Sequence, residues 1–403
     1  MNALALLAAT ALTWISGSTV KVEQVVGDCD YSAQAATGQC KPTTSRTATR
    51  SKVLGTDLGA SFESNGSVIF LFGDSIGPSE DYNAGDTMAS STSTDPAAGL
   101  FVDFFTKSDG TPFFVKVPGV KLGGSEVPNA GIRLDNGTFV ICHTGLDRNL
   151  PVPDVNAYAV LTRFDESTRV FTQLRTFSSR PNGKFITPSL HASGSDVLVF
   201  GLGAYRASDV YLATAPASTF DTGAGTRYFT GMANGQPQWS ASESAAVPIV
   251  TDNPLKTTPY TPSIGNVSVV YAKDLGVWLM TYDGGRQSLA TAGVYFSYAT
   301  DPWGPWSEPQ LIFNPRRDGA TGKFLHDPSI TPSDGLTGPT IGGNNPATTP
   351  GAPYAPYMIE RFTKVSGSTL SIYYLLSTWN PYTVVEMRSD FAIGHPRRRA
   401  ARH

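Results

Sequence analysis

The sequence predicts an all-β chain folded as a five-bladed β-propeller, and three observations carry that prediction. The 403 residues include 40 Gly and 29 Pro, 11% are aromatic, and only 16% are charged. Average proteins carry roughly 25% charged residues, so this profile suits turn-rich β structure. Second, five apolar strands of one type recur: "SVIFLFGDS" from Ser67, "TFVICHTG" from Thr138, "DVLVFGLGAY" from Asp196, "GVWLMTYDGG" from Gly276 and "TLSIYYLLSTWN" from Thr369. Their starts lie roughly 60 to 90 residues apart, the span of a four-stranded propeller blade with insertions. Third, runs such as "VIFLF" are apolar on both faces, as expected of a strand covered by a neighbouring blade on each side. A β-sandwich is the competing all-β architecture. Long helical periodicity is absent.

Residues 1–46 read as a leader outside the propeller. "MNALALLAATALTWISGS" is apolar, ends in small residues and resembles a secretory signal, but its first basic residue is Lys21. Cys29 and Cys40 bracket a short Ser/Thr/Gly-rich stretch with no His nearby, which favours a small disulfide loop over metal binding. Both features predict a secreted or cell-envelope protein. The propeller itself is expected over residues 47–395. Each recurring strand follows a turn ("SNGS", "DNGT", "ASGS", "KDLG", "VSGS"), and before each turn runs another strand, introduced by "GTDLG", "SEVPNAG", "TPSLH", "YTPSIG" or "APYMIE". Outer strands follow as "AYAVLTRF", "DVYLATA", "GVYFSYAT" and "TVVEMRS". Cys142 reads as a small core residue. The stretch "SDGLTGPTIGGNNPATTPGAPYAP" is a surface excursion or cleft wall. Residues 396–403, "PRRRAARH", form a basic tail that reads as a solvated end.

The first hairpin raises a physical problem. With Asn65-Gly66 as a two-residue turn, Ser64 faces Ser67, Phe62 faces Ile69, Leu58 faces Gly73 and Asp57 faces Asp74. Like charges directly opposite, roughly 5 Å apart at Cβ, destabilise a ladder. A propeller gathers the ends of its inner strands around one axis. Asp57 and Asp74 would therefore meet Glu126, Asn129 and His143 from the second blade and His191 from the third. Asn266, Asp283 and Arg286 would join from the fourth, with Tyr357, Glu360 and Trp379 from the fifth. Such convergence of polar side chains is what a site needs. Each has a structural reading as well: Asp74 and Asp283 as turn formers, Arg286 as the Asp283 ion-pair partner, the His residues as hydrogen-bonding groups. Trp303 and Trp306 in "DPWGPWSEP" read as packing, whereas Trp379 and Tyr382 are better placed to stack on a ligand.

The chemistry narrows by elimination. No nucleophile elbow, P-loop, dinucleotide fingerprint or HExxH is present. Five His do not suggest a multi-His metal centre, and a net charge of −3 gives no nucleic-acid footprint. Two close carboxylates remain, the pattern in which one acid keeps its proton while the other ionises, as glycoside hydrolysis requires. Carboxyl groups about 5 to 5.5 Å apart imply retention, and roughly 6.5 to 9.5 Å inversion; divergent side chains on a twisted hairpin favour inversion.

The segments "GTDLG", "LFGDS", "SEVPNAG", "YTPSIGNVSVVY", "GVYFSYATDPWGPWSEPQLIF" and "LSIYYLLSTWNPYTVVEMRSDF" together resemble the domain family numbered 4185 among uncharacterised domains, now glycoside hydrolase family 183. The likeness runs from Lys52 to Phe391. It implies a five-bladed propeller and endo-acting D-arabinanases, which cut the arabinofuranose polymer of mycobacterial arabinogalactan and lipoarabinomannan. It also implies that the TDLG and FGDS aspartates, Asp57 and Asp74, are catalytic. The expected partner is thus an arabinofuranose-containing polysaccharide, with no cofactor, no metal, no nucleic acid and no membrane span in the mature protein. A non-catalytic glycan-binding propeller and a furanosidase of L-arabinan or exo specificity are the alternatives.

Overall fold

A computed structural model describes residues 11–77, 85–146, 156–251, 264–285 and 291–394. Five antiparallel sheets form five blades. The first contains Leu58–Ser64, Ser67–Ser75, Gly85–Ser91 and Asp103–Phe104. The second contains Pro128–Leu134, Gly137–Leu146, Asn156–Asp165 and Val170–Ser179. The third is built on Thr187–Ser193, Asp196–Leu202 and Val210–Pro216, and the fourth runs from Val267–Ala272 through Val277–Gly284 and Gly293–Ala299 to Gln310–Phe313. The fifth is built on Pro353–Met358, Thr369–Thr378 and Thr383–Gly394. The innermost strand of each blade packs on that of the next, and the fifth returns to the first, so the ring is closed.

Side-chain alternation explains why the ring is stable. In "VIFLF", Val68, Phe70 and Phe72 enter the apolar cluster shared with the fifth blade, while Ile69 and Leu71 enter the one shared with the second. The second blade repeats this: Val140 and Cys142 face the first blade, Phe139 and Ile141 the third. Trp278 and Met280 face the third blade, Val277 and Leu279 the fifth. A period of two thus places successive residues in two different interfaces, each of them apolar. Trp303 and Trp306 pack against the cluster between the third and fourth blades.

The leader departs from expectation. Ala11–Trp14 and Val20–Gln24 both pair with Thr383–Gly394 and become part of the fifth sheet. Val25 and Val26 then enter the cluster between the fifth and first blades. The propeller therefore begins well before residue 47, and the apolar run that resembles a signal contributes a strand from Ala11 onward. No local signal reveals this, because the partners lie at the other end of the chain: Ser18 Oγ donates to the Asp390 carbonyl, 372 residues away. Cys29 and Cys40 form a disulfide with a Cα–Cα distance of 5.1 Å. Cys142 is fully buried. Residues 1–10 and the basic tail lie outside the described residues, and no helix among those described is long and apolar enough to cross a membrane.

Candidate active site

The hairpin turn is at Asn65-Gly66, with Ser64 paired to Ser67 and both turn residues at positive φ (49° and 83°). The expected register persists as far as Ala60 opposite Leu71, then shifts: Leu58, not Gly59, pairs with Phe72. Gly59 is the extra residue, and Leu58 and Gly59 both take left-handed backbone (φ 65° and 110°). Asp57 consequently faces Gly73 rather than Asp74, and the Gly73 amide donates to the Asp57 carbonyl at 3.1 Å. The Asp57 side chain folds over Gly73, where a Cβ would lie 2.2 Å from Oδ1. The direct cross-strand partner of Asp74 is another acid, Asp86, on the third strand. Sequence reading missed Asp86 because the strand that carries it has no apolar alternation.

Asp57 and Asp74 line one cavity of about 450 Å³ at the mouth of the axial channel, and all five blades contribute to it. Val127 and His143 come from the second blade, Tyr205 and Arg206 from the third, Asn266 from the fourth, and Tyr354, Trp379 and Tyr382 from the fifth. Ile341, Gly342 and Ala352 add a wall, so the turn-rich excursion does border the cleft. The Tyr354 hydroxyl donates to Asp57 Oδ2 at 2.8 Å, while buried Oδ1 has no hydrogen-bond partner. Burial pushes the Asp57 carboxyl up to about 6 against the opposing effect of Tyr354 and Tyr382. Asp74 rises to about 7 through burial and then the Asp57 charge, with the Gly124 amide, 2.7 Å from Oδ1, opposing. Asp86 is 1% exposed, neither of its carboxylate oxygens has a partner, and burial followed by the Asp74 charge drives its proton affinity far up. Its two oxygens are thus buried without compensation, which favours the protonated form.

The remaining candidates divide into three groups. His143 and Asn266 line the cavity with the aspartates, as does Trp379, whose ring meets Tyr354 and Tyr382 edge-on at 6.4 and 5.9 Å. Burial lowers His143 to about 4 despite the Glu126 charge, so at neutral pH it is an uncharged hydrogen-bonding group, with Thr187 Oγ1 3.2 Å from Nδ1. Glu126 and Asp283 stand behind the wall as braces. Glu126 accepts the Gly145 amide at 2.8 Å and pairs with Lys121 at 2.6 Å; Asp283 accepts the amides of Asn266 (2.7 Å) and Ala355 (3.3 Å). Asn129 and Tyr357 do not line the aspartate cavity but a second one that they share with His191 and Glu360, although the Asn266 side-chain amide donates to the Tyr357 hydroxyl at 3.0 Å. His191 and Glu360 are not part of this site. They pair with each other at 3.4 Å beside a separate cavity of about 330 Å³, toward the opposite ends of the inner strands. His191 sits five residues along its strand rather than at its start, which carries it to the far mouth. Arg286 lies outside the described residues. Among the described residues no cluster of three or more His, Cys, Asp or Glu side chains could hold a metal ion.

Tyr354 was hidden by a bulge between Tyr354 and Tyr357, where Ala355 has φ 54°, and Tyr205 and Arg206 by their position in a loop that carries no motif.

Comparison with known proteins matches residues 43–388 to the family described as a domain of unknown function, DUF4185. No curated protein sequence matches the chain. Among solved structures, a Bacteroides ovatus protein provisionally called a hydrolase shares 12% identity, with a TM-score of 0.50 over 94% of this chain and 93% of its own. A thermostable family-43 glycoside hydrolase follows at 11% identity, TM-score 0.45, over 86% and 96%. The GH43_1 enzyme of Xanthomonas citri shares 10%, TM-score 0.43, over 84% and 89%. At these identities the likeness is one of fold.

Proposed function

The chain belongs to the DUF4185 family, and from that premise we propose that it is a glycoside hydrolase cleaving internal α-D-arabinofuranosyl linkages of mycobacterial-type arabinan. One observation carries the reading: two carboxyl groups of raised proton affinity share a cavity walled by Trp379, Tyr354 and Tyr382. Buried carboxyls of this kind suit an acid and a base working near neutrality. Aromatic faces suit the C–H surface of a sugar. The likeness of the TDLG and FGDS segments to glycoside hydrolase family 183 supplies the substrate and the endo mode.

In this reading Asp74 protonates the leaving glycosidic oxygen. Asp57, ionised and oriented by Tyr354, takes a proton from the water that attacks the anomeric carbon. The C–O bond breaks, a new C–O bond forms from the opposite face, and configuration inverts. The cycle closes when Asp57 returns its proton to solvent and Asp74 regains one. One hydrogen bond to each carboxylate, from the Tyr354 hydroxyl to Asp57 and from the Gly124 amide to Asp74, restrains how the two groups can turn.

The Cys29–Cys40 disulfide supports a secreted or envelope location, since such bonds persist in oxidising compartments. The test is purified protein on D-arabinan and L-arabinan side by side, with products resolved by size and their anomeric configuration followed by NMR. Oligosaccharides from D-arabinan with inverted configuration are expected. Exclusively monosaccharide products would remove the endo mode, cleavage of L-arabinan alone would remove the substrate, and retained configuration would remove inversion.

A further inference from the structure

Arg206 stands on the loop after Asp196–Leu202 and is the one permanently charged cation among the described residues lining the cavity. Its backbone is left-handed (φ 56°), an unfavourable region for a long side chain and one that persists where the surroundings impose it. The guanidinium lies 4.2 Å over the Tyr205 ring, which fixes its plane. Nε is 3.7 Å from Asp283 Oδ2, close enough for attraction but beyond a hydrogen bond, and this buried Nε has no hydrogen-bond partner. No hydrogen bond joins the guanidinium to any described residue, so among those residues its N–H donors are held in place without an acceptor. The side chain is 22% exposed, and the cavity is where those donors can find acceptors.

We propose that Arg206 is a substrate-positioning residue whose planar guanidinium donates to adjacent hydroxyl oxygens of the glycosyl unit seated against Asp57 and Asp74. The inference rests on the reading of the cavity as a sugar-cleaving site. Two neighbouring hydroxyl oxygens on a furanose ring match two adjacent N–H donors of a guanidinium, whereas an ammonium offers a point charge without that fork. Because these hydrogen bonds form equally in the ground state and the transition state, they govern KM more than kcat. The competing role is structural: neutralising Asp283, which holds the amides of Asn266 and Ala355. A lysine would retain that charge.

The experiment compares wild type, Arg206→Lys and Arg206→Ala in kinetics on D-arabinan and in thermal melting. Calorimetry then measures binding of uncleaved D-arabinan to Asp74→Asn with and without Arg206→Lys. KM and Kd should rise roughly 10- to 100-fold in the lysine variant, the loss expected for hydrogen bonds to a charged donor, with kcat and melting temperature little changed. Wild-type KM and Kd in Arg206→Lys would make the residue a neutraliser of Asp283 and overturn the proposal. A fall in kcat at constant KM would overturn it too, because it would mean action through Tyr354 and Asp57. Should the protein bind D-arabinan without cleaving it, hydrolysis fails as a function while the change in Kd still decides Arg206. Should it bind no arabinan, both fall.

Discussion

Glu386→Gln should stabilise the protein at alkaline pH. Glu23 and Glu386 face each other directly where the N-terminal strand meets the last strand. Glu386 is 0% exposed, and neither carboxylate oxygen has a hydrogen-bond partner of normal geometry. Glu23 gives one oxygen to Thr44 at 2.7 Å and keeps the other buried and unpartnered. The nearby cations are engaged elsewhere, Lys21 with Asp30 at 2.8 Å and Arg388 with Asp390 at 3.4 Å. Burial, and then the Glu23 charge, push Glu386 up to about 8 from 4.5. The folded value lies above the unfolded one, so the folded state holds the extra proton. Its stability is full below about pH 4.5 and is lost as pH climbs through about 8. At about 1.4 kcal/mol per unit, the whole shift would be on the order of 5 kcal/mol; relaxation and water penetration should leave about 2 to 3. Thermal melting of wild type and Glu386→Gln at pH 5 and pH 9, with exposed Glu308→Gln as control, measures this. The variant should match wild type or fall slightly below it at pH 5, and melt several degrees higher at pH 9. Parallel pH dependence of the two would refute the reasoning.

Asp57→Asn and Asp74→Asn should each lower turnover on D-arabinan at least about 100-fold, the contribution of a positioned acid or base, and melt no lower than wild type. An active variant, or inactivity accompanied by unfolding in both, would remove the catalytic pair. The kcat/KM profile should be a bell: activity rises as one carboxyl of the Asp57–Asp74 pair ionises through about 6 and falls as the other loses its proton through about 7. These are values of the coupled pair, and a profile flat from pH 5 to 9 would contradict it. Gly73→Ala should cost at least about tenfold in kcat, because the new Cβ would displace the Asp57 carboxylate from 2.2 Å away. Wild-type kinetics in that variant would mean that Asp57 need not stay where it is.

Much of the ring was legible because alternation is a local property. Each residue of "VIFLF" chooses one of two blade interfaces by parity alone, and the turn residues announce where each strand reverses. The site was legible only in part, because its geometry depends on departures from that regularity. A single extra residue at Gly59 moved Asp57 from Asp74 to Gly73, and Asp74 acquired Asp86 as its true partner. The facing pair of acids expected in the first hairpin thus exists one strand over, and again between Glu23 and Glu386. His191 and Glu360 were drawn to the wrong mouth because a strand start and a strand end present similar residues. Long-range pairing of the leader leaves no trace in its own composition, since strand partners are chosen by the whole fold.

The seam between the two ends of the chain also sets a clock. Ala11–Trp14 and Val20–Gln24 are made long before their hydrogen-bonding partner, Thr383–Gly394. During synthesis those early strands have no native mate, and neither does the outer face of Val384 and Leu375 that Val25 and Val26 cover. The ring cannot close by adding blades in order; it closes in one late, non-local step, the kind that folds slowly. Because the cavity draws a residue from every blade, with Tyr354, Trp379 and Tyr382 from the fifth, the site is incomplete until the fifth blade has been made. The pocket comes into being only once Tyr354, Trp379 and Tyr382 have joined the ring, so that any chemistry it performs waits on that closure.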